Sequence, residues 1–337
     1  MKVFQIQDDW SMDNLVLKER SMSEPGAGQV LLKMKAASLN YRDLLVPQRG
    51  YGKLTGTLPL IPISDGVGEV VAIGEGVSRV VVGDRVCPNM IQSWLSGPPT
   101  MRRLSSTLGG PLDGVMAEYM VLDEQGLVQT PKHLSDEEAA TLPCAALTAW
   151  NAVVSDGQVK AGDTVLVQGT GGVSLFALQF AKLLGAHVIV TSSSDQKLNR
   201  AINLGADQGI NYRATPQWGK DIRKMVEADG VDLIVEVGGE ETLPQSLRAV
   251  RAGGTISLIG VLSGSDMTVP LGMIVTRKVR LQGITVGSRD EFEQMVRAIS
   301  QHKLKPVVDK VFAFEELKNA LDYLASGAHF GKICICH

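Results

Sequence analysis

Apolar and polar positions change their spacing about a third of the way along the chain. Up to about residue 126, apolar residues fall in short alternating or continuous runs, such as 30–34, 68–73 and 117–121, each bounded by Gly, Pro or Asp. Runs of that length and punctuation predict strands. The glycines at 66, 68, 74, 76 and 83 suit the tight turns of a barrel-like sheet. Residues 88–111 break the pattern with Trp94, Gly97-Pro98-Pro99 and Arg102-Arg103, which predicts a long surface excursion of the kind that often carries function.

From about residue 127 strands and helices alternate. Ser135 ahead of Asp136, Glu137 and Glu138 marks a helix start. Short apolar runs at 164–167, 187–191, 209–211, 231–237, 254–259 and 279–283 predict strands, with helices at 173–184, 195–204 and 218–228 between the earlier ones. Six strands with intervening helices mean an α/β protein with a parallel, doubly wound sheet. After Gly287 a helix (289–300), a strand (307–312), a helix (314–325) and a last strand (332–336) complete the pattern.

Composition narrows the function. The 337 residues suffice for two domains, and a net charge of −3 with 20% charged residues gives no field that favours nucleic acid or anionic membrane. Small molecules are therefore the expected partners. The N-terminus lacks the apolar stretch of a signal peptide, and the apolar region 173–190 is interrupted by Gln179, Lys182 and His187. A cytoplasmic protein is expected. Cys87, Cys144, Cys334 and Cys336 form no CxxC pair and read as small buried hydrophobes in a reducing compartment. No strand–Gly-x-Ser-x-Gly–helix elbow exists, so serine hydrolysis is unsupported.

The sharpest motif is Gly169-Thr170-Gly171-Gly172-Val173-Ser174, set between a strand and a helix. Glycine permits the turn and lets the backbone approach a diphosphate lying against the helix N-terminus. Ser174 replaces the last glycine of the usual pattern with another small residue. An NAD enzyme usually presents Asp or Glu at the end of the second strand. This chain presents Thr191-Ser192-Ser193-Ser194 with Lys197 one turn into the next helix, and Tyr212 follows the third strand. Hydroxyls and a cation suit a 2′-phosphate, so NADP(H) is the expected cofactor. Asp195 fits as a first-turn helix charge. Further cofactor contacts are expected at strand ends, at Val237-Gly238, Ile259-Gly260-Val261 and Gly287-Ser288.

These residues, together with Asn40-Tyr41-Arg42-Asp43, Pro62-Ile63-Ser64-Asp65-Gly66-Val67-Gly68, Val80-Val81-Val82-Gly83-Asp84-Arg85-Val86, Gly114-Val115-Met116-Ala117-Glu118-Tyr119, Leu147-Thr148-Ala149-Trp150 and Gly331-Lys332-Ile333, resemble the medium-chain dehydrogenase/reductase superfamily in its zinc-independent, quinone oxidoreductase-like branch. The resemblance spans the chain. It implies a GroES-like catalytic domain built from 1–126 and 285–337, a Rossmann domain at 127–284, and a homodimer paired through the edge strand 279–283. Zinc members of the superfamily place ligands where this chain has Asn40, Ser64-Asp65 and Cys144. One thiol, an amide and a carboxylate make a poor zinc set, so no metal is expected. In its place Asn40 is the expected donor to the substrate oxygen, with Tyr41 and Arg42 nearby and Asp43 either orienting them or tying the loop to backbone N–H groups as a structural acceptor. The resemblance also places Thr148 at the nicotinamide and Lys332 near the diphosphate. Trp94 is either a substrate wall or core.

The expected activity is NADPH-dependent, zinc-free hydride transfer to a carbonyl, quinone or enone. An alcohol dehydrogenase with a degenerate metal site and a non-catalytic NADPH-binding sensor or scaffold stay open as alternatives.

Overall fold

The computed structural model describes residues 1–226, 229–264 and 266–337. In chain order its strands are β1 (Lys2–Ile6), β2 (Leu15–Glu19), β3 (Gln29–Ser38), β4 (Asp65–Ile73), β5 (Arg85–Pro88), β6 (Tyr119–Asp123) and β7 (Leu127–Gln129). There follow β8 (Thr164–Gln168), β9 (His187–Ser192), β10 (Gln208–Asn211), β11 (Val231–Glu236), β12 (Val250–Leu258) and β13 (Arg280–Gly283), then β14 (Val308–Ala313) and β15 (Lys332–Cys336).

The chain packs as two units, Met1–Leu147 with Val286–His337, and Thr148–Thr285. The expected boundary at 126/127 moves to 147/148. The reason is packing: β7 pairs with β5, and the helix Asp136–Ala140 lies against β3, β4 and β15. That helix starts as expected, with Ser135 and Glu138 forming a reciprocal capping box.

In the first unit, β14-β15-β3-β4-β5-β7 form one sheet, with β6 also on β3 and a separate β1-β2 ribbon. The ribbon was not legible as strands in the sequence. The inward positions Leu32, Met34, Val70, Val86, Met116, Ile333 and Ile335 are buried together. Crucially, β15 pairs antiparallel with β3, setting Cys334 opposite Ser38, and the Leu39 N–H donates to the Ile333 carbonyl at 2.9 Å. The end of the chain is thereby stitched beside residues 38–40.

The second unit is the expected parallel sheet, in the order β10-β9-β8-β11-β12-β13. Its central strands are covered on both faces, which is why their apolar runs are continuous and not alternating. Leu166, Ile189, Ile234 and Ile256 join one core cluster, and the helix Gly172–Leu183 buries Phe176 and Phe180. The strand order reverses at β8/β11, the switch point beside which ligands of such sheets bind. The helix expected over 218–228 is observed as Trp218–Met225, and its expected end at Ala228 lies outside the described residues.

Gly331 fixes where β15 starts. It has φ +92°, and an added Cβ would meet the Val307 carbonyl oxygen at 2.4 Å. Gly327 has φ +64° with open space around its Cβ position. Gly331→Ala is therefore expected to cost roughly 2–4 kcal/mol, from strain plus overpacking, against about 1 kcal/mol for Gly327→Ala. Denaturant melts of the two variants check the ranking; equal costs would refute it.

Candidate active site and dinucleotide loop

In the second unit the glycine loop leaves β8 at the sheet's switch point. Gly169 has φ +73°, a conformation that favours glycine. Gly171 caps the 12-residue helix Gly172–Leu183 with no side-chain hydrogen bond, and a Cβ built on Gly171 meets nothing within 4 Å. No side chain caps the first turn and the space at the Gly171 Cβ position is open, which fits a diphosphate bound at the helix N-terminus. Thr170 is buried and Val173 half-buried beside them. Ser174 does more than stay small. Its Oγ donates to the Gln168 carbonyl at 2.7 Å and ties the helix's first turn to the strand it leaves.

At the end of β9, Thr191 and Ser192 are buried while Ser193 and Ser194 are partly exposed. Ser194 caps the helix Asp195–Asn203, accepting from the Lys197 N–H at 3.4 Å. The Asp195 carboxylate accepts from Asn211 Nδ2 at 2.8 Å, so it is engaged with β10. Tyr212, 41% exposed, donates its N–H to the Ser192 carbonyl. The structure thus gathers Ser193, Ser194, Lys197 and Tyr212 around one strand end.

Sequence reasoning missed the residue that organises the neighbouring strand end. Glu236, the last residue of β11, is fully buried. One carboxylate oxygen accepts from Thr242 Oγ1 and the N–H groups of Gly238 (3.0 Å) and Gly239 (3.1 Å); the other accepts from Ser246 Oγ and from Gln168 Nε2 at 2.6 Å. A buried carboxylate is tolerated only when so surrounded. The network locks the ends of β8 and β11 together and shapes Val237-Gly238. Ile259 and Gly260 continue the shelf, their N–H groups donating to the Glu236 carbonyl, and Val261 is exposed at its rim. The only sequence signal was an acidic residue closing an apolar strand. Thr148, buried, opens this unit on the helical turn Leu147–Trp150.

In the first unit a polar cluster is buried beneath residues 39–43. The Lys332 ammonium donates to the Leu39 carbonyl and to Asn40 Oδ1 at 2.6 Å. Asp65 is buried, its oxygens accepting from Ser64 Oγ (2.7 Å) and the Cys144 N–H (2.9 Å). Burial raises its pKa, opposed mainly by the Lys332 charge. Asp43 accepts the Asn40 N–H at 2.7 Å, so it fixes the loop backbone and not the side chains of its neighbours. Burial pushes Asp43 up to about 6, with Arg42 pulling the other way. Arg42 donates to the carbonyls of Leu108 (3.0 Å) and Gly110 (3.2 Å), anchoring the far end of the excursion. Tyr41 is 48% exposed. Tyr51, which sequence reasoning passed over, lies under the Arg42 guanidinium, 5.8 Å from ring centroid to carbon.

One expectation changes here, and one left open between two readings is resolved. Lys332, read as a diphosphate ligand, is 3% exposed and spends two protons inside this cluster. Trp94 is core: it is buried and its indole donates to the Gly97 carbonyl at 2.7 Å. The four positions where zinc relatives carry ligands fit a metal poorly. The Asn40 oxygen faces an ammonium, and both Asp65 oxygens already accept hydrogen bonds. Burial pushes the Cys144 thiol up to about 12. Gly287 and Ser288 belong to the first unit, where Ser288 caps the helix Arg289–His302.

Residues 26–132 match the family model for the alcohol dehydrogenase GroES-like domain, and residues 172–301 match that for zinc-binding dehydrogenases. A zinc-type alcohol dehydrogenase-like protein of Schizosaccharomyces pombe is 48% identical, over 91% of this chain and 90% of its own length. Among solved structures, an NAD-dependent alcohol dehydrogenase superposes with a TM-score of 0.91 at 35% identity, covering all of both chains. The quinone oxidoreductase of Coxiella burnetii gives 0.80 at 28% identity, over 100% of this chain and 99% of that one.

Asp43 makes stability depend on pH. Its pKa rises from 3.8 to about 6 on folding, so the folded state holds the proton more tightly than the unfolded chain. Its contribution therefore becomes less favourable as pH rises from about 4 to about 6, by at most about 3 kcal/mol. Asp43→Asn keeps an oxygen for the Asn40 N–H and removes the ionisation. It is expected to melt higher than the parent at pH 8, with the gain shrinking towards pH 4. A gain that is absent at pH 8, or largest at pH 4, would contradict this.

Proposed function

The chain belongs to the medium-chain dehydrogenase/reductase superfamily, and from that premise we propose that it is an NADPH-dependent, zinc-free reductase of a carbonyl, quinone or enone. It is an oxidoreductase that uses a nicotinamide cofactor and a small-molecule substrate. No helix among the described residues is long and apolar enough to cross a membrane.

The observation that carries NADPH over NADH is the strand end at Ser193, Ser194 and Lys197. Serine hydroxyls and Lys197 follow β9 there, and the Asp195 carboxylate accepts from Asn211. A 2′-phosphate would be met by donors instead of repelled. The loop from Gly169 to Val173 would take the diphosphate on its N–H groups, with Val237, Gly238, Ile259, Gly260 and Val261 lining the shelf and Thr148 the nicotinamide end. A bound nicotinamide would supply a hydride, with its electron pair, for an electrophilic carbon. Asn40 would donate from its amide to the oxygen where charge builds, and the proton would come from water or a nearby hydroxyl. Tyr41 and Asp43 complete this centre, Asp43 by holding the Asn40 backbone. The edge strand β13 would pair with a second copy as a homodimer.

Support for metal-free chemistry lies in the donor set described above. The relatives named as zinc-type favour a second reading, an alcohol dehydrogenase with a working metal. The two separate cleanly. Purified protein is expected to oxidise NADPH with an enone and quinone panel, equally before and after chelation. Loss of activity on chelation, restored by Zn²⁺, would decide for the second reading.

Lys197→Glu is expected to lower kcat/KM for NADPH about tenfold to a hundredfold, with NADH little changed. The NADPH/NADH ratio of kcat/KM is the measurement; an unchanged ratio would sink the NADPH assignment.

A further inference from the structure

The Lys332 ammonium is buried at the start of β15, and its place is over-determined. Gly331 sets the turn, the Lys332 N–H donates to the Val307 carbonyl at 2.9 Å, and β15 pairs with β3 next to Leu39. The side chain then reaches the Leu39 carbonyl and the Asn40 amide. An ammonium has donors and no acceptor. The amide atom facing it must therefore be the oxygen, since the other orientation would press N–H against N–H. This fixes where the amide NH₂ points. Asn40 Nδ2 is buried, close enough to Asp65 to help restrain that group's pKa, yet it makes no hydrogen bond of good geometry among the described residues. Both Asp65 oxygens already have other donors. A buried donor left over in this way costs free energy unless a ligand acceptor takes it up.

We propose that Lys332 is the positioning residue of the site: by holding Asn40 Oδ1 it orients the amide so that Nδ2 is kept for the substrate's oxygen. The inference rests on the proposed role of Asn40. It also differs from a diphosphate contact in what it predicts. A positioning residue acts on the chemical step through Asn40, whereas a diphosphate ligand acts on cofactor binding. Asp65 supplies the countercharge that lets the ammonium stay buried.

The test is a double-mutant cycle on the full chain, using Asn40→Ala, Lys332→Met and both together, with NADPH and the best substrate of the panel. Lys332→Met is expected to lower kcat about tenfold to a hundredfold and to leave the KM for NADPH within about twofold. The double variant should be no slower than Asn40→Ala alone, because the lysine acts only through the amide. Lys332→Arg, which also offers only donors, should recover part of the loss. A raised KM for NADPH at unchanged kcat, or additive losses in the double variant, would overturn the proposal. An Asn40→Ala variant with full kcat would instead overturn the role of Asn40 itself, whereas a slow Asn40→Ala beside a fully active Lys332→Met removes only the inference about Lys332. Thermal melting checks that each variant folds, and Lys332→Gln replaces Lys332→Met in the cycle if the latter does not.

Discussion

The pairing of β15 with β3 is the constraint on which the first unit's polar centre depends. It joins residues almost three hundred positions apart. Without it, Leu39 and Asn40 would lose the ammonium that faces them, and Asp65 would be a buried carboxylate without its main opposing charge. Backbone hydrogen bonds set the register, the register sets the lysine, and the lysine sets the amide. Hydrophobic burial of Ile333 and Ile335 among the strands of the sheet makes that register the stable one, because a one-residue slip would turn both to the other face.

Two solutions to the same electrostatic problem stand in the two units. Glu236 is made tolerable by neutral donors alone, five of them from hydroxyls, an amide and backbone N–H groups. Asp65 is held by two donors and a nearby cation, and Asp43 by one backbone N–H with the Arg42 guanidinium 3.9 Å away. Burial raises the pKa of Asp43, to about 6, and that of Asp65, each opposed mainly by its neighbouring cation.

Much of this was legible in the sequence, and the limits have physical causes. Continuous apolar runs separated by helical spacing announced the parallel sheet, and the glycine loop announced its own turn, because both follow from local geometry. The strands β1 and β2 were not legible, since KVFQI and LVLKE carry no turn signal between them beyond an irregular polar stretch. The domain boundary was placed too early because the switch to helical spacing at Asp136 is local, whereas the unit a helix joins is decided by what it packs against. Lys332 was recognisable as important, yet its partners come from a loop at the other end of the chain. No spacing rule reaches that far. Glu236 looked like a strand terminus, and only the three-dimensional gathering of Gln168, Thr242 and Ser246 gives it a purpose.

The turn after β9 is self-supporting. Ser194 closes its own helix, Asp195 leans on Asn211, and the Tyr212 N–H binds the Ser192 carbonyl, while the loop at Gly169–Gly172 is braced separately through Ser174 and Gln168. The two features are braced by different side chains and meet only through the backbone, where the Gly169 N–H donates to the Thr191 carbonyl at 2.8 Å. On the proposed reading, side-chain changes at 193–197 would alter the ribose end of the site while Ser174 and Gln168 still brace the glycine loop.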